Sequence, residues 1–374
     1  MQPFTRLVST LLLFTAFTSA PAQVVWTART SGITDRLSSG AYGGTGSVRW
    51  VVVGGNPTSG VQPTSVVLTS SDGITWTTRV SGTANPTLTS VCWAGTQWVA
   101  VGYNGSIRTS PDGITWTSRS SGATGTLYGV VWTGSQVVAV GLGYTVSNDT
   151  YYGAILTSPD GINWTSRTSG VSGIGSTPAL RSVAWTGTQL VASGGANVVT
   201  SPDGVTWTVR TPGGVFLDTY SVIWTRDQLV MTGASGAIRT SNDGANWTYR
   251  NTAGTIGTAF SMVKTVDLIV LAGSGGVIFT SVDAITWTSR ASGTGVDLYG
   301  AAWNGASAPW VVVVGAGGTI LTSSMPDVGL RNAGFDFRFF QPSVPMFDLR
   351  GRSLPMQKEG MKMPLGSGLF ILRN

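Results

Sequence analysis

The sequence predicts an all-β chain folded as a seven-bladed β-propeller, closed by its N-terminal strand and followed by a short C-terminal β tail. Three observations predict it: a Trp-containing segment that recurs every roughly 40 to 50 residues, short β-type apolar runs between its copies, and two half-repeats at opposite ends of the repeat region.

The recurring segment reads "TSSDGITWTTR" ending at Arg79, "TSPDGITWTSR" at Arg119, "TSPDGINWTSR" at Arg167, "TSPDGVTWTVR" at Arg210, "TSNDGANWTYR" at Arg250 and "TSVDAITWTSR" at Arg290. Each copy follows an apolar run such as "LYGVVWTG", a second run such as "SQVVAVG", and a glycine turn into "GSIRTSPDG". Alternation and β-branched residues, bounded by Gly, Asn and Asp, make four short strands per repeat, a to d. At the start, Val24 to Gly32 ("VVWTARTSG") matches strand d without its first three strands. At the end, Leu298 to Ser323 matches strands a to c without the fourth. Joined, the halves complete one blade and leave no open sheet edge at the seam. The strand-d tryptophans Trp26, Trp76, Trp116, Trp164, Trp207, Trp247 and Trp287 then number seven blades.

The S-x-D-G-x-T-W pattern resembles the Asp-box, or bacterial neuraminidase repeat, except that Asp and Gly are adjacent here rather than separated by one residue. The resemblance covers about three-quarters of the chain and implies a propeller. It is silent on activity, because sialidases, xyloglucan-degrading enzymes, sorting receptors and photosystem II assembly factors share such repeats. The box chemistry is structural. Asp72, Asp112, Asp160, Asp203, Asp243 and Asp283 are placed to accept backbone N–H bonds in the c–d turn, the next Gly admits a positive φ, and the Trp buries its ring between blades. Ala284 replaces that Gly once, which predicts an altered or strained turn. The aspartates fall one per blade, so no two share an ion and a calcium ladder is disfavoured.

Composition removes several chemistries. Histidine is absent, which excludes Ser-His and Cys-His nucleophiles and most zinc sites. Cys92 is the single cysteine, so there is no intrachain disulfide, and its apolar strand "TSVCWAG" reads as a buried inert thiol. The net charge of +6 is dispersed, with about +2 in residues 23–324, +3 in 325–374 and +1 in the leader. No basic face with interleaved aromatics appears, so nucleic-acid binding is not expected. No cofactor or metal site is expected.

Residues 1–22 read as a signal peptide: Arg6, the apolar stretch Leu7 to Phe17, then Ala20-Pro21-Ala22. The stretch is short for a membrane span, and no other span is expected in the mature chain. The propeller is assigned to 23–324 and a linker to 325–334. Residues 335–374 contain "MFDLRGRSL" and "LGSGLFILRN", which resemble the C-terminal sorting domains of Bacteroidetes and Fibrobacter-type secreted proteins. Asp348, Gly351 and Arg352 match the first element of that motif, and Gly368, Phe370 and Arg373 the second. The resemblance implies a secreted or cell-surface protein that meets secretion machinery through its tail.

Candidate site residues are those that break the repeat on the d–a and b–c loop face. Aligned on the strand-a tryptophan, the channel mouth reads Asp35, Thr87, Thr126, Ala179, Asp218, Thr258 and Asp297. Two residues on, it reads Leu37, Thr89, Tyr128, Arg181, Tyr220, Phe260 and Tyr299. The extended b–c loop of blade 3 adds Tyr144, Asp149, Tyr151 and Tyr152. Asp with Tyr suits polar ring-shaped ligands, so these residues point to a glycan- or protein-binding scaffold. The competing reading is a glycoside hydrolase using Asp35, Asp218 and Asp297, although the propeller contains no Glu for a sialidase-like Tyr–Glu pair. A third is an envelope assembly factor.

Overall fold

The computed structural model describes residues 24–324 apart from 58–62, 83–84, 146, 148, 174–177, 212–217, 251–255 and 306–309. The candidate signal peptide, linker and sorting tail lie outside the described residues. Seven four-stranded antiparallel sheets follow one another along the chain. Their first strands, Leu37–Tyr42, Leu88–Trp93, Leu127–Trp132, Ser182–Trp185, Thr219–Trp224, Ala259–Lys264 and Leu298–Trp303, pack in a closed cycle, each against the next and the last against the first. These strands a therefore surround a central axis, and strands d lie outermost.

Closure follows the route the half-repeats indicate. The N-terminal strand Thr27–Arg29 pairs antiparallel with Ile320–Ser324, with Ala28 opposite Leu321. Arg29 Nε donates to Thr322 Oγ1 at 2.7 Å across the seam.

Burial explains why the middle strands read as continuous apolar runs. Strand b of blade 1, Trp50–Gly54, is buried on both faces. Val51 and Val53 join the core shared with blade 2, and Val52 joins the core shared with blade 7. Strands d alternate less and are largely exposed, so their sequence signal is the Trp before them rather than an apolar run. The ring of Trp207, for example, is buried among Val138, Ile155 and Leu190 at the seam between blades 3 and 4. Truncating such a ring costs about 3–5 kcal/mol.

The c–d turns are built as their chemistry suggests. In blade 3, Asp160 Oδ1 accepts the N–H of Ile162 at 2.8 Å and of Asn163 at 2.9 Å. Ser158 Oγ donates to the same oxygen at 2.9 Å and accepts Gly161 N–H at 2.8 Å. Trp164 Nε1 folds back to Gly161 O at 3.0 Å. The carboxylates are held below the ordinary Asp range, chiefly by the N–H three residues on at Asp72, Asp112, Asp160, Asp203 and Asp243. At Asp283 burial opposes the shift, and the N–H groups of Thr286 and Ile285 outweigh it. Ala284 keeps the turn bonds at a φ of 61°, the left-handed region that costs a side-chain-bearing residue about 1–2 kcal/mol. In that turn the buried Trp287 Nε1 lacks an acceptor.

A second device links neighbouring blades. The a–b turn glutamines Gln136, Gln189 and Gln228 donate to the backbone oxygens of Asp203, Asp243 and Asp283 at 2.7, 3.0 and 3.1 Å, and Gln97 donates to Asp160 in the same way. Each box aspartate that ends such a latch thus serves two blades, its carboxylate bracing its own turn and its carbonyl receiving the blade before. Among the described residues, no cluster of three or more acids or cysteines could hold a metal ion. Also among them, no helix is long and apolar enough to cross a membrane.

Candidate functional site

The glycine that ends strand b fixes the register of every blade. At Gly102, an added Cβ would lie 2.1 Å from the carbonyl oxygen of Thr87, an approach only glycine permits. The equivalent glycines face Arg36, Thr126, Ala179, Asp218, Thr258 and Asp297. The first-blade alignment is therefore off by one: Arg36, not Asp35, takes the channel-mouth position, and Ser38, not Leu37, takes the second. The cause is local. Strand a of blade 1 has no tryptophan, and Tyr42 stands opposite Trp50 where the other blades place Trp or Lys. Leu37 faces the interblade core and is fully buried.

In six of the seven blades the next residue of strand a is a β-bulge. The pairing register slips between Leu37 and Ser39, and at the same place in blades 2, 3, 5, 6 and 7. In blade 4 Arg181 precedes the strand and donates its N–H to Ser193 O at 2.7 Å. A bulge re-aims one side chain out of the pleat. Repeated in six blades, it turns Ser38, Thr89, Tyr128, Tyr220, Phe260 and Tyr299 toward the axis, and Arg181 joins them from the residue before strand a of blade 4. All seven line one cavity of about 310 Å³ at the channel mouth, together with Arg36, Thr87, and Pro57 and Tyr103 from the b–c loops of blades 1 and 2.

Six planar groups of the lining form a contiguous arc. The Arg181 guanidinium carbon lies 5.6 Å from the Tyr128 ring centre and 5.1 Å from that of Tyr220. Tyr220 meets Phe260 edge-on at 5.5 Å, Phe260 lies 5.1 Å from Tyr299, and Arg36 sits 3.7 Å over Tyr299. Cation–π contact and ring packing hold such an array in place. Burial pushes the phenols of Tyr128 and Tyr299 above their ordinary range, against the opposing pull of Arg181 and Arg36. Both stay neutral near pH 7, so the charged groups of the lining are the two arginines.

The predicted aspartates are not in the lining. Asp35 accepts a hydrogen bond from Thr64 Oγ1. Asp297 accepts the Gly275 N–H at 2.8 Å through one oxygen and the Tyr299 hydroxyl at 3.2 Å through the other. Asp218 is exposed. The predicted Tyr128, Tyr220 and Tyr299 do meet in the cavity. Tyr144, Asp149, Tyr151 and Tyr152 sit apart from its lining, on a hairpin formed by the lengthened strands Val137–Thr145 and Thr150–Ser158. There the Tyr144 and Tyr151 rings lie 4.9 Å apart, and the Tyr144 hydroxyl donates to Asp149 at 2.7 Å. Sequence alignment missed Arg36, Ser38, Pro57 and Tyr103. Anchoring on the strand-b glycine would have found the first two.

No family model matches the chain, and no curated protein matches it. Solved structures do. The chain is similar to YCF48 bound to D1 peptide, with a TM-score of 0.60 and 19% identity over 86% of this chain and 100% of that one. The chain is a seven-bladed β-propeller. It is also similar to YCF48 from Cyanidioschyzon merolae, with a TM-score of 0.57 and 18% identity over 80% and 98% of the two chains. The WD40 β-propeller domain of Doa1 matches with a TM-score of 0.60 and 10% identity over 81% and 98%. At these identities the likeness shows the fold alone.

Proposed function

We propose that this propeller is a non-catalytic binding module that holds a segment of a protein partner in the channel-mouth cavity. One observation carries the reading: bulges in six blades, with Arg181 from the blade 4 segment before strand a, converge seven side chains on one cavity, an arrangement that blade packing does not require. The stacked rings offer apolar and π surface, and the arginines offer directed donors, the combination that dominates protein-recognition hot spots. The similar YCF48 carries a bound peptide on the same fold. A glycoside hydrolase ordinarily uses two carboxylates flanking the scissile bond, and none lies in the cavity lining among the described residues. The glycan reading keeps one supporting observation, the Tyr144–Tyr151 pair beside Asp149 on the blade 3 hairpin. Export to the cell surface or medium belongs to the same proposal and rests on the Leu7–Phe17 leader and the sorting-like tail.

Selection of a displayed peptide library on the purified full chain tests this, with a Ser38→Trp variant that plugs the cavity as comparison. Enrichment on the native protein that disappears with the plug is expected. Equal enrichment on both would remove the cavity from the account, and binding confined to a glycan array and lost with Tyr151→Ala would favour the hairpin.

A further inference from the structure

The arginines of this chain have unlike surroundings. Those that close each strand d are satisfied by the repeat: Arg29, Arg79, Arg119, Arg167, Arg210, Arg250 and Arg290 each donate Nε to a strand-c threonine at 2.7–2.9 Å. Arg181 differs. Its Nε is sealed from solvent with no hydrogen-bond partner, and its guanidinium is flanked by Tyr128 and Tyr220. Arg108 shares the unpartnered Nε but lies in the blade wall, outside the cavity. Of the aspartates beside the channel mouth, Asp297 accepts hydrogen bonds within the fold through both oxygens and Asp35 through one, and Asp218 is exposed.

We infer that the cavity selects a carboxylate group, received by Arg181 with Arg36 as the second cation. This rests on the peptide-binding reading and names the chemistry of what enters. A planar carboxylate matches the edge of a guanidinium with two parallel N–H···O bonds, and the Tyr128 and Tyr220 rings lie 5.6 and 5.1 Å from the Arg181 guanidinium carbon. A phosphate ester can pair with the same edge but brings a third charged oxygen that needs a further donor. The flanking tyrosines and Phe260 cover the apolar body that carries the carboxylate. Among the described residues none supplies a carboxylate to the cavity lining, so a ligand carboxylate would bring the charge that matches Arg181 and Arg36.

Ligand-observed NMR titration of the full chain with phenylacetate, phenylacetamide and phenyl phosphate tests this without a known partner. Phenylacetate is expected to bind at least tenfold more tightly than its neutral amide and more tightly than phenyl phosphate. Arg181→Gln should bring the acid and amide within twofold of each other, and Arg181→Lys should restore part of the preference. An unchanged melting temperature shows that the variants are folded, and Arg36→Gln provides a second variant with a smaller expected loss. Equal binding of acid and amide, no detectable phenylacetate binding, a preference for the phosphate, or a preference that survives Arg181→Gln each overturns the inference. Three peptides then separate the source: one with a glutamate and a blocked C-terminus, one neutral with a free C-terminus, and one neutral and blocked. Tight binding of the neutral blocked peptide would sink the carboxylate assignment and leave peptide binding intact. Phenylacetate selectivity with no peptide bound would do the reverse.

Discussion

Replacing Asp160 by Ala isolates what one box carboxylate contributes. The side chain accepts four bonds, from Ile162 N at 2.8 Å, Asn163 N at 2.9 Å, Ser158 Oγ at 2.9 Å and Asn163 Nδ2 at 2.8 Å. Charge-assisted bonds at about 1.5–3 kcal/mol each would sum to far more than a turn is worth. The sum is the wrong measure, because Ile162 and Asn163 are exposed and water takes over their N–H groups. The loss therefore falls in the range of a deleted capping side chain, about 1–2 kcal/mol. The latch from Gln97 reaches the backbone oxygen of Asp160 and survives the change. For a propeller of this length that loss corresponds to a melting-point drop of about 2–4 °C. Scanning calorimetry with urea titration measures it, with the exposed Asp218→Ala as a control expected within about 0.5 kcal/mol. A loss above about 4 kcal/mol would mean that the turn nucleates a core, and no loss would remove the carboxylate from the turn's energetics. A chelator is expected to leave the melting point unchanged, since the turn is braced by its own amides.

Three further outcomes follow from the same structure. Gly113 holds a φ of 76°, and a Cβ there would meet Val48 Cγ1 at 2.8 Å, so Gly113→Ala should cost about 2 kcal/mol in urea unfolding. The box aspartates have lowered folded values, so their stabilisation is complete above the unfolded Asp value of about 3.9 and is lost as the pH falls from there through the folded values. Melting temperature should thus fall steeply only below about pH 4, and Asp160→Asn should flatten part of that fall. Cys92 is only half-buried, yet desolvation pushes its thiol up to about 12, so a disulfide reagent at pH 8 should label it slowly in the native chain and readily once denaturant is added.

The repeat made the ring legible because blade burial acts on every copy alike. Val51, Val52 and Val53 must be apolar in any blade that packs on two neighbours, and the half-repeats at Trp26 and Leu298 reveal the seam by what each lacks. The site was only half legible. Tyr128, Tyr220 and Tyr299 stood out as departures from the repeat, but an anchor on tryptophan failed in blade 1, where Tyr42 takes that place. That single slip exchanged Arg36 for Asp35 and so reversed the charge that blade 1 brings to the mouth. The bulges themselves leave no local mark, since Ser38, Tyr128 and Phe260 have nothing in common but position. The glutamine latches were visible as residues, yet their acceptors lie 54 to 67 positions away, a pairing set only by the closed ring.

The central claim is that the bulge residues at the channel mouth, rather than the blade 3 hairpin, hold the partner. Its most direct test is the dissociation constant of a peptide selected on the native chain, measured for Tyr220→Ala and for the double variant Tyr151→Ala, Tyr152→Ala. Removal of the Tyr220 ring is expected to weaken binding at least tenfold, while the hairpin variant stays within twofold of the native protein. Undiminished binding by Tyr220→Ala together with loss in the hairpin variant would contradict the account and move the site to blade 3.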